Sequence, residues 1–134
     1  MIRIFKTRPE YRPGMRRMRE AARRVLQAEG WIFNVQVIVA DDKELRRLHA
    51  QFLHDDTPTD VITFPGNPGD DYPAEIYISR DQAITQAKEA GEPVARALDR
   101  LMIHGLLHLG GWNDSTKAQR ARMIEYGEKY LHSN

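Results

Sequence analysis

The stretch His104-Gly-Leu-Leu-His108-Leu-Gly-Gly111-Trp-Asn-Asp114 constrains this chain more than any other. On a helix of 3.6 residues per turn, positions i and i+4 stand one above the other, so His104 and His108 share a face. Two imidazoles so placed can grip one metal ion. Gly110-Gly111 ends the helix, because glycine tolerates the left-handed backbone that turns the chain off the last carbonyls. The chain can then double back, and Asp114 is the next side chain able to coordinate. Two nitrogens and a carboxylate oxygen leave a fourth position open for water, as a catalytic zinc site requires. The competing reading is a pair of core or rim histidines, since short motifs recur by accident. The glycine break and the acid behind it bring the metal reading level with that one.

The 134 residues include no cysteine. Disulfides and thiolate sites are therefore excluded, and any metal must be held by His, Asp or Glu. His49, His54 and His132 lack ligand spacing. The length suits one domain over residues 1–134 with an ordinary core. No apolar run approaches the roughly 18 residues that cross a bilayer, and MIRIFKTRPEYRPG lacks the apolar centre of a signal peptide. The expectation is a cytoplasmic protein with no membrane partner.

The net charge of +1 hides a basic start: residues 1–30 hold nine Lys or Arg against three Glu. Arg12, Arg16, Arg17, Arg19, Arg23 and Arg24 fall in one expected helix. Such a helix can neutralise nucleic-acid phosphates, with Arg16, Arg19 and Arg23 as candidate contacts. It can equally be a solvated face whose arginines pair with acids elsewhere.

Taken in order, Ile2 to Lys6 alternates as a half-buried strand does. Pro13 opens a helix to about Glu29, with Met15, Met18, Ala22, Val25 and Leu26 as its apolar stripe. Trp31 to Ala40 reads as a strand, and Asp41-Asp42 cap a helix reaching Phe52 through Leu45 and Leu48. His54 to Thr59 is a loop, Asp60 to Phe64 a strand, and Gly66 to Pro73 a second loop. A strand over Ala74 to Ser79 precedes a helix from Asp81 to Ala90. Pro93 then starts the long helix carrying the histidines, and Thr116 to about Leu131 forms the last. Together these predict an α+β domain: a mixed four-stranded sheet with about five helices and the metal site at the end of the long one.

Thr59-Asp-Val-Ile-Thr-Phe-Pro65, Glu75-Ile-Tyr-Ile-Ser79 and the His104–Asp114 block together resemble the YbeY endoribonuclease family, in its order and at about its spacing. The resemblance implies a metal-dependent, single-strand-specific endoribonuclease acting in 16S rRNA 3′-end processing and small-subunit quality control. It further implies one zinc ion and rRNA as substrate, with small-subunit ribosomal proteins as further partners and no DNA. By position, His104 and His108 match the family's first two metal-binding histidines. The third place is usually histidine, and here it is Asp114. The resemblance sets Asp60 and Thr63 facing substrate across the cleft; the alternative is a plain core strand in which Thr63 merely suits β structure. Most members carry an upstream Tyr-Arg pair whose arginine engages phosphate, whereas this chain has Phe52-Leu53. Either His54 or an arginine of the first helix replaces it, or nuclease activity is weakened. Trp112 reads as a lid over the turn rather than a base-stacking platform.

A zinc peptidase carries Glu after the first histidine as general base, and here that residue is Gly105. RNA is thus favoured over protein as substrate, because an RNA 2′-hydroxyl can serve as internal nucleophile. Two further readings compete: a non-catalytic ribosome-assembly factor stabilised by its metal, and a non-haem iron enzyme using two histidines and a carboxylate. One equivalent of iron in protein purified without added metal would revive the last.

Asp114 also sets a pH expectation. Exchanging a neutral imidazole for a carboxylate lowers the charge of a divalent site from +2 to +1, so water there is less acidic than beside three histidines. Asp114→His is expected to move the rising limb of the pH–rate profile to lower pH; an unmoved profile would refute this.

Overall fold

The computed structural model describes residues 1–53, 59–66 and 73–131, with Leu53 described in its backbone alone. Among these, β1 (Ile2–Lys6), α1 (Met15–Glu29), β2 (Val35–Ala40), α2 (Asp42–Leu53) and β3 (Val61–Phe64) are followed by β4 (Ala74–Ser79), α3 (Arg80–Ala90), α4 (Val94–Leu109) and α5 (Lys117–Leu131). The sheet order is β1-β2-β4-β3, with β1, β2 and β4 parallel and β3 antiparallel on the β4 edge. The fold is α+β, with the mixed four-stranded sheet and five helices read from the sequence. Most of the two expected loops, at 54–58 and 67–72, lies outside the described residues.

One face of the sheet is buried by alternating apolar residues, and the other is covered where α2 packs, while Arg3 and Phe5 of β1 stay exposed on it. Val35, Val37 and Val39 of β2 pair across from Ala74, Ile76 and Ile78 of β4, and all six are buried. This ladder joins the core formed with Met18, Ala22 and Val25 of α1 and with Leu98, Met102 and Leu106 of α4. Ile62, Phe64 and Tyr77 point the other way, where they pack with Leu45 and Leu48 of α2. Each fully buried Leu, Ile or Met contributes roughly 1.5–3 kcal/mol, so the apolar side of α4 fixes that helix on the sheet.

Polar ties set the helices against one another. Asp99 of α4 is buried and receives two hydrogen bonds from Arg17 Nε (3.1 and 3.3 Å) and one from Nη2 (3.0 Å). Arg100 of α4 bonds Glu128 of α5 (2.7 Å) and Glu92, which raises the guanidinium's pKa. Tyr126 and Tyr130 of α5 both donate to Glu29 of α1. Thr116 and Gln119 cap α5 reciprocally, each side chain accepting the other's backbone N–H at 3.1 Å.

Several boundaries differ from expectation. α1 starts at Met15, two residues after Pro13, and Arg12 precedes it, donating to the carbonyls of Pro9 and Tyr11. Met15 is exposed and Ala21 takes its place in the buried stripe. β2 begins only at Val35, because pairing with β1 and β4 starts there and the preceding residues have no partner strand. Phe52 is 53% exposed, resting edge-on against Phe64 instead of entering the core.

One contact brings α4 onto β4. A Cβ at Gly105 would sit 2.7 Å from Cγ2 of the fully buried Ile76. Overpacking costs about 1–3 kcal/mol, against roughly 1 kcal/mol of helix propensity that alanine adds. Gly105→Ala is expected to destabilise the protein by about 1 kcal/mol in urea unfolding and to become stabilising in an Ile76→Ala background. Destabilisation in both backgrounds would show that the Ile76 contact is not the constraint.

Candidate metal centre and its cleft

α4 presents His104 and His108 on its flank, half-buried, while Leu101, Gly105 and Leu106 face the core. The helix ends as its glycines require: Gly110 N–H donates to Leu106 O (2.9 Å) and Trp112 N–H to Leu107 O (3.0 Å). Of the Gly110-Gly111 pair, Gly111 adopts a positive φ, 104°. Gly110 has an ordinary φ of −80° and is needed for another reason, since a Cβ there would overlap the Trp31 ring at 2.2 Å. The chain then doubles back, and Asn113 Oδ1 accepts from Ser115 N–H (2.9 Å) to shape the connector. Trp112 stacks on Tyr126, with ring centroids 4.6 Å apart, and so anchors the connector to α5.

This turn carries Asp114 to the histidines. Its Oδ2 lies 3.2 Å from His108 Nε2 and 3.6 Å from His104 Nε2. Three donor atoms, one from each residue, all fall within 4.8 Å of one another. Ligands bonded at about 2.0–2.1 Å in a tetrahedron stand about 3.3 Å apart, so these separations and this N,N,O donor set fit a zinc-sized divalent ion. The imidazole of His104 titrates below its usual range, first because burial disfavours its charged form and then because of the neighbouring His108. It is thereby held in the neutral form that binds metal. Asp114 and Asp60 oppose the shift, while the positive charge of Arg120 adds to it.

The three side chains open into a cavity of about 550 Å³, in the size range of small-molecule and cofactor sites. Asp60 and Thr63 line it. Thr63 pairs with Ile76 across the sheet and so shares the face that α4 covers, whereas Ile62 and Phe64 belong to the α2 side. Gln86 Nε2 donates to Asp60 Oδ2 (2.9 Å) and fixes that carboxylate. His54 lies outside the described residues. Arg16, Arg19 and Arg23 are exposed on α1, none lines the cavity, and Arg23 bonds Glu20 (2.9 Å) and Gln27 (3.2 Å) on its own helix. Arg17 is engaged by Asp99.

Sequence reasoning missed Gln86, His49 and Arg120, all of which border the cavity. Arg120 carried a readable signal. The Thr116-x-x-Gln119 box fixes where α5 begins, and Arg120 then falls on the stripe of Met123 and Gly127, which are buried.

The chain is similar to known proteins over most of its length. The family model described as endoribonuclease YbeY matches residues 6–134. A protein called endoribonuclease YbeY from Acholeplasma laidlawii is 37% identical over 100 residues, covering 74% of this chain and 73% of its own. A protein of the same description from Chlorobaculum tepidum is 36% identical over 114 residues, covering 84% and 83%. The solution structure of TM1509 from Thermotoga maritima superposes with a TM-score of 0.69 at 30% identity, covering 98% of this chain and 87% of that one.

Binding to the native state alone stabilises it by RT ln(1 + [L]/Kd). Zn²⁺ at about 100 times its Kd is expected to raise the unfolding free energy by about 2.7 kcal/mol, read by calorimetry as a higher Tm, and His108→Ala should abolish the rise. An equal rise in the variant would place the ion elsewhere.

Proposed function

We infer function from one premise: this chain belongs to the endoribonuclease YbeY family. It is a metal-dependent endoribonuclease that acts in rRNA processing. The observation that carries this reading is the convergence of His104, His108 and Asp114 at the wall of a cavity large enough for a nucleotide. The finer assignments are ours: one zinc ion as the cofactor, single-stranded RNA at the 16S 3′ end as the substrate, small-subunit ribosomal proteins as further partners, and the cytoplasm as the location. Among the described residues no helix is long and apolar enough to cross a membrane.

His104, His108 and Asp114 would hold a divalent ion, which would supply an acidified water and a Lewis acid for a phosphoryl oxygen. The remaining steps belong to the chain itself. Asp60 has one carboxylate oxygen held by Gln86, leaving the other to accept a proton or a hydrogen bond from a ribose hydroxyl. Thr63 offers a hydroxyl on the same wall. His104 and His108 stand on the same cavity wall as these groups, and the exposed Arg16, Arg19 and Arg23 add long-range attraction for RNA. The residue after the first histidine is packed against Ile76, so no carboxylate can reach the cleft from there as a peptidase base would.

Purified rRNA incubated with wild type and with His108→Ala, both checked by circular dichroism, tests the reading. Wild type should cut, and the folded variant should lose at least about 100-fold in rate, the scale of losing a metal-supported step. Equal cutting by both would overturn it; binding without cutting by both would move an assembly-factor role ahead.

A further inference from the structure

We propose that Arg120 is the phosphate-binding residue of the cleft, pairing with a phosphodiester next to the one that is cut. The inference rests on the endoribonuclease reading and names how that site holds its RNA. Among the described residues, two arginines line the cavity, Arg100 and Arg120. Arg100 is committed, with Glu92 and Glu128 both bonded to its guanidinium. Arg120 is exposed, and its side chain makes no hydrogen bond or ion pair among the described residues. An arginine with five donors and no acid bonded to it among the described residues, on the wall of an anion-handling cleft, is placed for a ligand that brings its own oxygens.

The neighbouring residues of α5 match the rest of a nucleotide. Ile124, one turn on and therefore on the same face, also lines the cavity and is 47% exposed. A cation followed by an exposed apolar side chain offers a polynucleotide both a phosphate contact and a surface for a base or ribose. The arginines of α1 offer no such arrangement, because none borders the cavity.

Binding of a fluorescent single-stranded RNA oligomer, measured across a salt series with the catalytic rate beside it, tests the proposal. Arg120→Ala should weaken binding about tenfold and reduce the slope of log K against log salt by about 0.7, the value of one phosphate contact on a single strand. Arg120→Lys should restore part of the affinity. Arg122→Ala removes the same charge from the same helix outside this cavity and should change binding less than about twofold. Equal effects of Arg120→Ala and Arg122→Ala, or an unchanged slope for Arg120→Ala, would overturn the role of Arg120 while leaving the nuclease reading intact. Wild type that neither binds nor cuts RNA would instead remove both.

Discussion

Everything at the metal centre depends on how closely α4 lies on β4. The missing side chain at Gly105 lets the helix settle onto Ile76, and that contact fixes the rotation of α4 about its own axis. With Gly105 against the sheet, the next position N-terminal and the one three on are turned outward along the flank. These are His104 and His108. A helix rolled by one residue would carry both imidazoles together, either into the sheet or out to solvent, since successive positions differ by about 100° while the two histidines stand about 40° apart. The six aliphatic residues packed beneath, the Arg17–Asp99 pair and the Arg100–Glu128 pair prevent that roll from three directions.

The same contact explains what kind of hydrolase this helix can support. In a chain with a bulky residue at position 105, α4 would have to stand away from the sheet, and the cleft between α4 and β3 would change width. Here that cleft is lined by Leu101, Ile103, Leu107 and Met123 together with Asp60, Thr63 and the two histidines. The acid-base groups available to a substrate therefore come from the β3 side and from the connector, and none from the helix's second motif position.

Much of this was readable in the residues. β4 and the C-terminus of α3 match their expected limits, because Pro, Gly and Ser mark them and the apolar period is unambiguous. The His-His-Asp convergence was readable as well, since it depends on a helix turn and a glycine break, both local. What escaped were features set by tertiary neighbours. Met15 has a helical apolar spacing yet is exposed, and Phe52 is exposed at the C-terminal end of α2. The six arginines near the N-terminus read as one patch, yet Arg17 is spent on an acid 82 positions away and Arg23 on its own helix. Gln86 and Asp60 are 26 positions apart and carry no joint signal in the chain. Conversely, Gly110 was assigned a conformational role when its reason is the Trp31 ring lying against it.

The three donor residues come from a single short run of chain, and this gives the centre a local character. Closing a chelate over so few residues costs little loop entropy, and the connector between α4 and α5 is the part that must move to open it. The sheet and its aliphatic ladder hold together through other contacts. Asp114 therefore reaches the histidines through the Gly110–Thr116 segment, which the Trp112–Tyr126 contact holds against α5. A substitution in that connector would be felt at the candidate centre before it is felt in the sheet.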